Sequence, residues 1–391
     1  MDSNSQIQEP GKTVFLSVFP PLRGGISRFS VYLQNYLSQY TVIHCYNYKR
    51  LYPDILFPGK SQYQDEPVDH PVTPLVHSYN PINWNTSARI ISQRKPDVFI
   101  FSHWHPFIAP STISLVKKLK KQNPGLLISG IFHNVTPHES FPMGHYLTRR
   151  LTGLTDLPIL LSSQTQNEFE ALNTERQPVK LFHPVYFRPA PNASKTALRH
   201  KYGMSNDKTV FLFFGLIRHY KGLDILFDAL RLLDATTLDI QLYIAGEFYS
   251  DPKPILDRLP ASWKDKVTVD DRFIPDDEAD ELLHASDAMV LPYRSASQSG
   301  ILADAINFNL PVICTDHPGF TDVVSHNTHG LIVPSENPEK LASAIAEMTQ
   351  PGILKQMQAH IKQLQTELNW EKFSLAYHNA LINTLKRKSE Y

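Results

Sequence analysis

Two cations stand three residues apart in FFGLIRHYKGLD, Phe213 to Asp224: Arg218 and Lys221. Gly215 and Gly222 bracket them, an apolar run precedes them, and a leucine-striped stretch follows. A loop of this kind, between a buried strand and the start of a helix, would hold a diphosphate whose negative charge grows as a leaving group departs. The plainer alternative is a solvated basic pair, the usual fate of Lys and Arg. Their place directly behind a buried run favours the chemical reading. A second candidate is SASQSGILADA, Ser295 to Ala305. Its hydroxyls and the N–H groups of a helix start, at Ser299, Gly300 and Ile301, can bond sugar hydroxyls or phosphate oxygens. Gly300 also removes the side chain that would block approach. Asp304, one turn further in, could accept bonds from a ribose diol or be an ordinary helix aspartate.

Near the amino end, Gly24-Gly25-Ile26 sits between the first strand and the first helix. Two glycines there let a backbone pass close to a ligand, or simply make a tight βα turn. They lack the third glycine of a dinucleotide fingerprint. HNVTPHE, His133 to Glu139, follows another buried run. His133 could bond a sugar or a diphosphate, and His138 or Glu139 an acceptor. His103, which ends a strand in the same way, is placed on the acceptor side. No spacing among His103, His105, His133 and His138 matches a helical or hairpin zinc site, so no metal is expected. The Gly-Lys pairs at Gly11 and Gly59 lack the upstream glycine of a phosphate loop.

These residues need strands and helices to aim them. Thr13–Phe19, Val98–Ser102, Leu126–Phe132 and Pro158–Ser163 read as strands, with helical patterns at Ile26–Leu37 and Ser111–Gln122. The alternation restarts after a polar, proline-bearing linker around His183 to Lys208. Strands follow at Thr209–Phe214, Gln241–Ala245, Ala288–Leu291 and Pro311–Cys314, with a helix at Leu223–Leu233. Alternating strand and helix means parallel sheets covered on both faces, the doubly wound α/β class. Ligands of such sheets bind outside the carboxyl ends of the strands, where Gly24, His103, His133, the Gly215 to Lys221 loop, Gly246-Glu247 and the 295–305 segment all fall.

With 391 residues, the chain is longer than one core usually serves, so two domains are expected. Lys+Arg and Asp+Glu are both 38, which gives no net field toward nucleic acid. Cys45 and Cys314 are too few for a disulfide framework and suit a reducing compartment. The first dozen residues lack a signal peptide's apolar core, and no apolar run is long enough to span a bilayer. The expected location is the cytoplasm. Ser111–Gly125, with four lysines among apolar residues, admits a peripheral contact with the inner face of a membrane, though a solvated helix face is the simpler account.

Taken in order, these segments resemble the GT-B glycosyltransferases, specifically glycosyltransferase family 4. FFGLIRHYKGLDILFDAL is similar to the family's donor-phosphate loop, and LYIAGE (Leu242 to Glu247) to its next strand and turn. HASDAMVLPYRSASQSGILADAINFNLPVICTDHPGFTDVV resembles its signature block. NWEKFSLAYHNAL (Asn369 to Leu381) resembles a final helix that crosses back to the first domain. The resemblance implies two Rossmann-like parallel-sheet domains facing across a cleft: residues 1–187, joined by about 371–391, on the acceptor side, and 188–370 on the donor side. It implies retaining transfer of a hexose-type sugar from a nucleotide-sugar, UDP- or GDP-linked, to the hydroxyl of a glycan, lipid-linked or small-molecule acceptor. Polysaccharide, lipopolysaccharide or glycoconjugate synthesis would use such a step. No cofactor is implied, because the nucleotide-sugar is a co-substrate.

Carried over by position, Arg218 and Lys221 would hold the diphosphate, and Gly215 and Glu247 would border it. Ser299, Gly300 and Ile301 would offer N–H groups, and Asp304 would bind ribose. Phe273 would lie near the base, His133 at the transferred sugar, and Gly24-Gly25 at the diphosphate. The chain departs from the pattern at Ala296, where the family has a glutamate, and at Leu216, where it has an arginine. A nucleotide-sugar epimerase, a glycogen-synthase-like enzyme or an inactive partner subunit of the same fold are the rival readings.

Overall fold

The apolar runs become the inner strands of two all-parallel sheets. A strand covered by helices on both faces needs no polar alternation, so VFIFSH, LISGIF and TVFLFF are apolar almost throughout. The computed structural model describes residues 11–52, 63, 72–136, 141–296 and 300–389. Its contacts divide into two units, Met1–Phe182 with Trp370–Tyr391, and His183–Asn369. The division implied by the family resemblance, 187/188, lies five residues further along the chain.

The first unit runs β1 (Lys12–Ser17), α1 (Gly25–Leu37), β2 (Val42–Arg50), β3 (Thr73–His77), α2 (Pro81–Gln93), β4 (Val98–His103), α3 (Ala109–Gln122), β5 (Leu127–Phe132), α4 (Gly144–Gly153), β6 (Leu157–Leu160), α5 (Ser163–Ala171) and β7 (Val179–Lys180). Strand order is β3-β2-β1-β4-β5-β6-β7. The order reverses between β1 and β4, so the ends of those strands leave a crevice.

The second unit runs α6 (Lys195–Lys201), β8 (Thr209–Phe214), α7 (Leu223–Arg231), β9 (Ile240–Ala245), α8 (Lys253–Leu256), β10 (Val267–Asp270), α9 (Asp276–Ala285), β11 (Ala288–Leu291), α10 (Gly300–Asn307), β12 (Val312–Thr315), α11 (Pro318–Thr321), β13 (Gly330–Val333), α12 (Pro338–Met348) and α13 (Ile353–Glu367). Its order, β10-β9-β8-β11-β12-β13, reverses between β8 and β11.

The last helix, α14 (Trp370–Ser389), packs in the first unit. Trp370, Phe373, Tyr377 and Leu381 on it are buried. Phe29 of α1 lies 5.0 Å from the Trp370 ring and 5.8 Å from Phe373. The Tyr377 hydroxyl is 2.8 Å from Ser129 Oγ on β5, and Lys388 donates to Asp156 at 3.1 Å.

The stretch His183 to Lys208 is not a loose linker. It holds α6, capped by Ser194 on Ala197 N at 3.2 Å. Arg199 there is buried and donates to the carbonyls of Ala285 and Ser205 and to Asp287. Arg199 thus turns one of the stretch's polar residues to buried hydrogen bonds, while most of its neighbours face solvent.

Candidate functional site

At the carboxyl edge of the second sheet, three loops meet backbone to backbone. Gly246, after β9, has φ +144°, and a Cβ on it would lie 2.3 Å from the Gly215 carbonyl oxygen. Gly222 has φ +71°, and a Cβ there would lie 2.0 Å from the Pro292 carbonyl oxygen. Only glycine permits either approach. The loops after β8, β9 and β11 are thereby fixed to one another at the reversal point.

Gly215 opens the loop after β8 with φ +97°. The chain passes through Arg218 into a single 3₁₀ turn, His219–Lys221, before α7 begins. Lys221 is only 5% exposed. Its Nζ donates to the Phe214 carbonyl at 3.2 Å and stands 5.5 Å from the Tyr293 ring centroid. Among the described residues it has no carboxylate partner. Burial, with the Arg218 charge adding to it, pushes the Lys221 ammonium down to about 7. A buried cation normally has an anion beside it, so this one is poised for an anion that comes from outside. Arg218 is half-buried, and its guanidinium carbon lies 3.7 Å from the Tyr249 ring centroid, so an aromatic face holds it.

Arg294, after β11, ties the loops together. It donates to both oxygens of Asp224, at 2.8 and 2.7 Å, and to the His219 carbonyl at 2.8 Å. Its backbone N–H reaches the Tyr220 carbonyl at 2.7 Å. Asp224 lies in the first turn of α7, where a carboxylate also complements the helix dipole. Burial alone would raise the Asp224 carboxyl, but the bonds and charge of Arg294 hold it below the ordinary carboxylate range.

The sequence-expected donor residues fall as follows. Gly300 starts α10, and a Cβ on it would meet nothing within 4 Å. The Ile301 side chain comes within 3.2 Å of where a Gly215 Cβ would be, which brings the start of α10 to the cation loop. Glu247 is buried, and its carbonyl accepts from Ile217 N–H at 2.9 Å. Phe273 stands 37% exposed in the loop after β10. Asp304 is 3% exposed, and Arg188 Nη2 donates to its Oδ1 at 2.6 Å. Ala296 is buried in the apolar core, and its carbonyl accepts from Gly319 N–H at 3.1 Å. Ser299 lies outside the described residues.

In the first unit, Gly24 (φ +119°) and Gly25 begin α1, and a Cβ on either would meet nothing within 4 Å. They line a pocket of about 170 Å³ with Val18, Leu22, Leu51, Tyr52 and Trp104. These residues come from the ends of β1, β2 and β4. The Trp104 indole donates to the Tyr52 hydroxyl at 3.1 Å. His103 and His133 end neighbouring strands, and His133 N–H donates to the His103 carbonyl at 2.8 Å. Burial, with His105 nearby, pushes the His103 imidazole down to about 3, so it stays neutral. Among the described residues both its ring nitrogens are buried without a hydrogen-bond partner. The His133 ring packs edge-on against Phe29 at 4.9 Å. His138 and Glu139 lie outside the described residues.

Sequence reasoning missed Arg294, Tyr249, Arg188 and the Tyr52–Trp104 wall. Arg294 sits inside the signature block, in PYRS, and Tyr249 lies two residues past LYIAGE; the spacing of each from its strand end is what marks it. Arg188 offers no signal, because its partner is 116 residues away.

Two Rossmann-like parallel-sheet units with strand-end loops of this kind define the GT-B glycosyltransferase fold. Residues 208–350 match the family described as glycosyl transferases group 1, so the second unit carries a domain of that type. A D-inositol 3-phosphate glycosyltransferase of Jonesia denitrificans is 28% identical over 163 residues, 40% of this chain and 38% of that protein. The chain spans from 38% to 62% of the length of the first curated relatives it matches. Among solved structures, sucrose-phosphate synthase from Thermosynechococcus elongatus has a TM-score of 0.72 at 14% identity, covering 96% of this chain and 100% of its own. Anabaena Alr3699/HepE, in complex with UDP and glucose, has a TM-score of 0.71 at 12% identity, covering 94% and 99%. At these identities the structures speak for the fold alone.

Proposed function

We propose that the chain is a retaining, metal-independent glycosyltransferase of family 4, acting in the cytoplasm, that moves a hexose-type sugar from a nucleotide-diphosphate sugar to an acceptor hydroxyl. The observation that carries this reading is the buried Lys221 ammonium, set beside Arg218 with no carboxylate of its own among the described residues. A diphosphate supplies the missing negative charge, and its arrival restores the proton that burial weakens.

In the reaction, the bond between the anomeric carbon and the diphosphate oxygen breaks, and the nucleoside diphosphate leaves with the electron pair. Lys221 and Arg218 stabilise the charge that develops on it. The acceptor oxygen bonds to the same face of the sugar, and its proton passes to the departing phosphate oxygen. The N–H groups at Gly300 and Ile301 are the second anion-binding element, and Phe273 supplies an aromatic face for the base. The Gly24-Gly25 pocket, walled by Tyr52 and Trp104, suits an acceptor ring stacked on aromatic faces. A donor of the UDP or GDP type, and an acceptor belonging to polysaccharide or glycoconjugate synthesis, complete the proposal.

Asp304 carries its part with a partner: the ribose diol would be read by the carboxylate and the Arg188 guanidinium together. Incubation with UDP-, GDP- and ADP-sugars, followed by release of nucleoside diphosphate, tests the reading. One donor class is expected to turn over, and Lys221→Ala to slow it by roughly 100- to 1,000-fold with the fold intact. Release from none of them, or near-normal release by the variant, contradicts it.

A further inference from the structure

The zero net charge of the chain conceals an uneven division. The first unit holds 21 Lys+Arg against 14 Asp+Glu and the second 17 against 24, so the halves carry +7 and −7. Within the first unit the excess is concentrated. Helices α2, α3 and α4 pack side by side, and none contains an Asp or Glu. Between them they carry Arg89, Lys117, Lys118, Lys120, Lys121, Arg149 and Arg150. Lys120 is neutralised by Asp156 at 2.9 Å. Arg89, Lys117, Lys118, Lys121 and Arg149 have no carboxylate partner among the described residues. Asp156 follows α4 in the chain, and the next described helix, α5, brings Glu168 and Glu170.

The same face exposes large apolar side chains at one end. Ile82 in the first turn of α2 is 80% exposed, and Met143 and Tyr146 at the start of α4 are 67% and 50% exposed. Arg150 donates to the Tyr146 hydroxyl at 2.6 Å. Both helix starts follow strand ends, so the apolar tips share the carboxyl edge of the sheet, with the cations spread behind them along the helices. A headgroup layer takes both, with apolar tips at the acyl boundary and cations at the phosphates. Among the described residues no helix is long and apolar enough to cross a membrane, so the contact would be peripheral.

We propose that the α2–α3–α4 face of the first unit docks on a bilayer rich in anionic phospholipid. The inference does not depend on sugar transfer, and its test needs no donor. The full chain is sedimented with vesicles of phosphatidylcholine alone and of phosphatidylcholine mixed with phosphatidylglycerol, at low and high salt. Binding is expected only to the anionic vesicles, and salt should weaken it. Each cation near such a surface contributes about fivefold, so the triple variant Lys117→Gln, Lys118→Gln, Lys121→Gln should bind on the order of 100-fold more weakly. Met143→Ser with Tyr146→Ser should weaken binding while leaving the salt dependence in place. Unchanged circular dichroism in both variants shows that the fold survives.

Equal binding to both vesicle types, no binding to either, or a triple variant that binds like the parent overturns the proposal. So does a salt-reversible dimer abolished by the same substitutions without vesicle binding, which would make the face a contact between copies.

Discussion

The ammonium nitrogen of Lys221 lies 2.7 Å from the point where a Cβ on Gly215 would stand. The glycine that follows β8 is therefore the space through which the cation reaches the edge of the sheet. Gly215→Ala should leave the fold standing, at a cost of about 1 kcal/mol for a left-handed alanine, because the obstructing atom is the tip of a flexible side chain. The ammonium must move, so nucleoside diphosphate affinity should fall about tenfold or more. Gly222→Ala and Gly246→Ala strike carbonyl oxygens of neighbouring loops instead. Those two should lower the unfolding midpoint sharply, and thermal melts of the three variants check the contrast.

Donor affinity should depend on pH through Lys221. Its ammonium is held down to about 7, so the protonated form that attracts a diphosphate predominates below that value and fades above it. The last ionisation of a terminal phosphate lies near about 6, so the ligand's own charge is constant over the upper range. Affinity for a nucleoside diphosphate should fall by up to about tenfold per pH unit between about 7 and 9, and Lys221→Ala should flatten the profile. Calorimetric titrations at several pH values would show it. An equally steep fall in the variant would assign the effect elsewhere.

Arg294 should matter to both stability and binding. Among the described residues, its loss leaves Asp224, whose side chain is 15% exposed, with Arg258 at 3.5 Å as its remaining basic partner. Arg294→Ala should cost on the order of 2 kcal/mol at neutral pH. The Asp224 carboxyl lies below its ordinary value of 3.8 in the folded chain. Its stabilising contribution is therefore complete above that value and is lost as pH falls through the lower, folded one. The variant should have less of this stability to lose in acid, so the stability gap between it and the parent should narrow as pH drops. Denaturant midpoints measured from pH 7 downward test the sign. The same variant should bind donor more weakly, because the turn carrying Lys221 loses its anchor at the His219 carbonyl.

The last helix should be indispensable to the first unit. Trp370, Phe373, Tyr377 and Leu381 are fully buried, and losing even one such aromatic from a core costs about 3–5 kcal/mol. A chain ending at Asn369 should therefore fail to fold its first unit, while the second retains a cooperative transition. Limited proteolysis with mass mapping would separate these outcomes.

Much of the second unit was legible because β8, β9 and β11 are short runs of apolar residues closed by glycine, proline or polar residues. The cation loop then had one position open to it, behind β8. β2 was not legible: VIHCYNYKR mixes polar residues into a strand, and Asn47 is buried there to hold the Phe19 amide and carbonyl. β3 contains Pro74, and its pairing with β2 shifts register, so no regular period announces it. The Arg188–Asp304 and Arg294–Asp224 pairs join residues 116 and 70 positions apart. Local pattern cannot report such distances. The division of charge was equally hidden, because a sum over the chain erases it.

The direct test of the central claim is calorimetric titration of the intact chain with UDP, GDP and ADP, in parallel with Lys221→Ala. One nucleoside diphosphate should bind the parent chain, and the variant should lose roughly 10- to 100-fold in affinity, as befits a charged hydrogen bond. No heat of binding with any of the three, or an unchanged affinity in the variant, would contradict a diphosphate site built on Lys221.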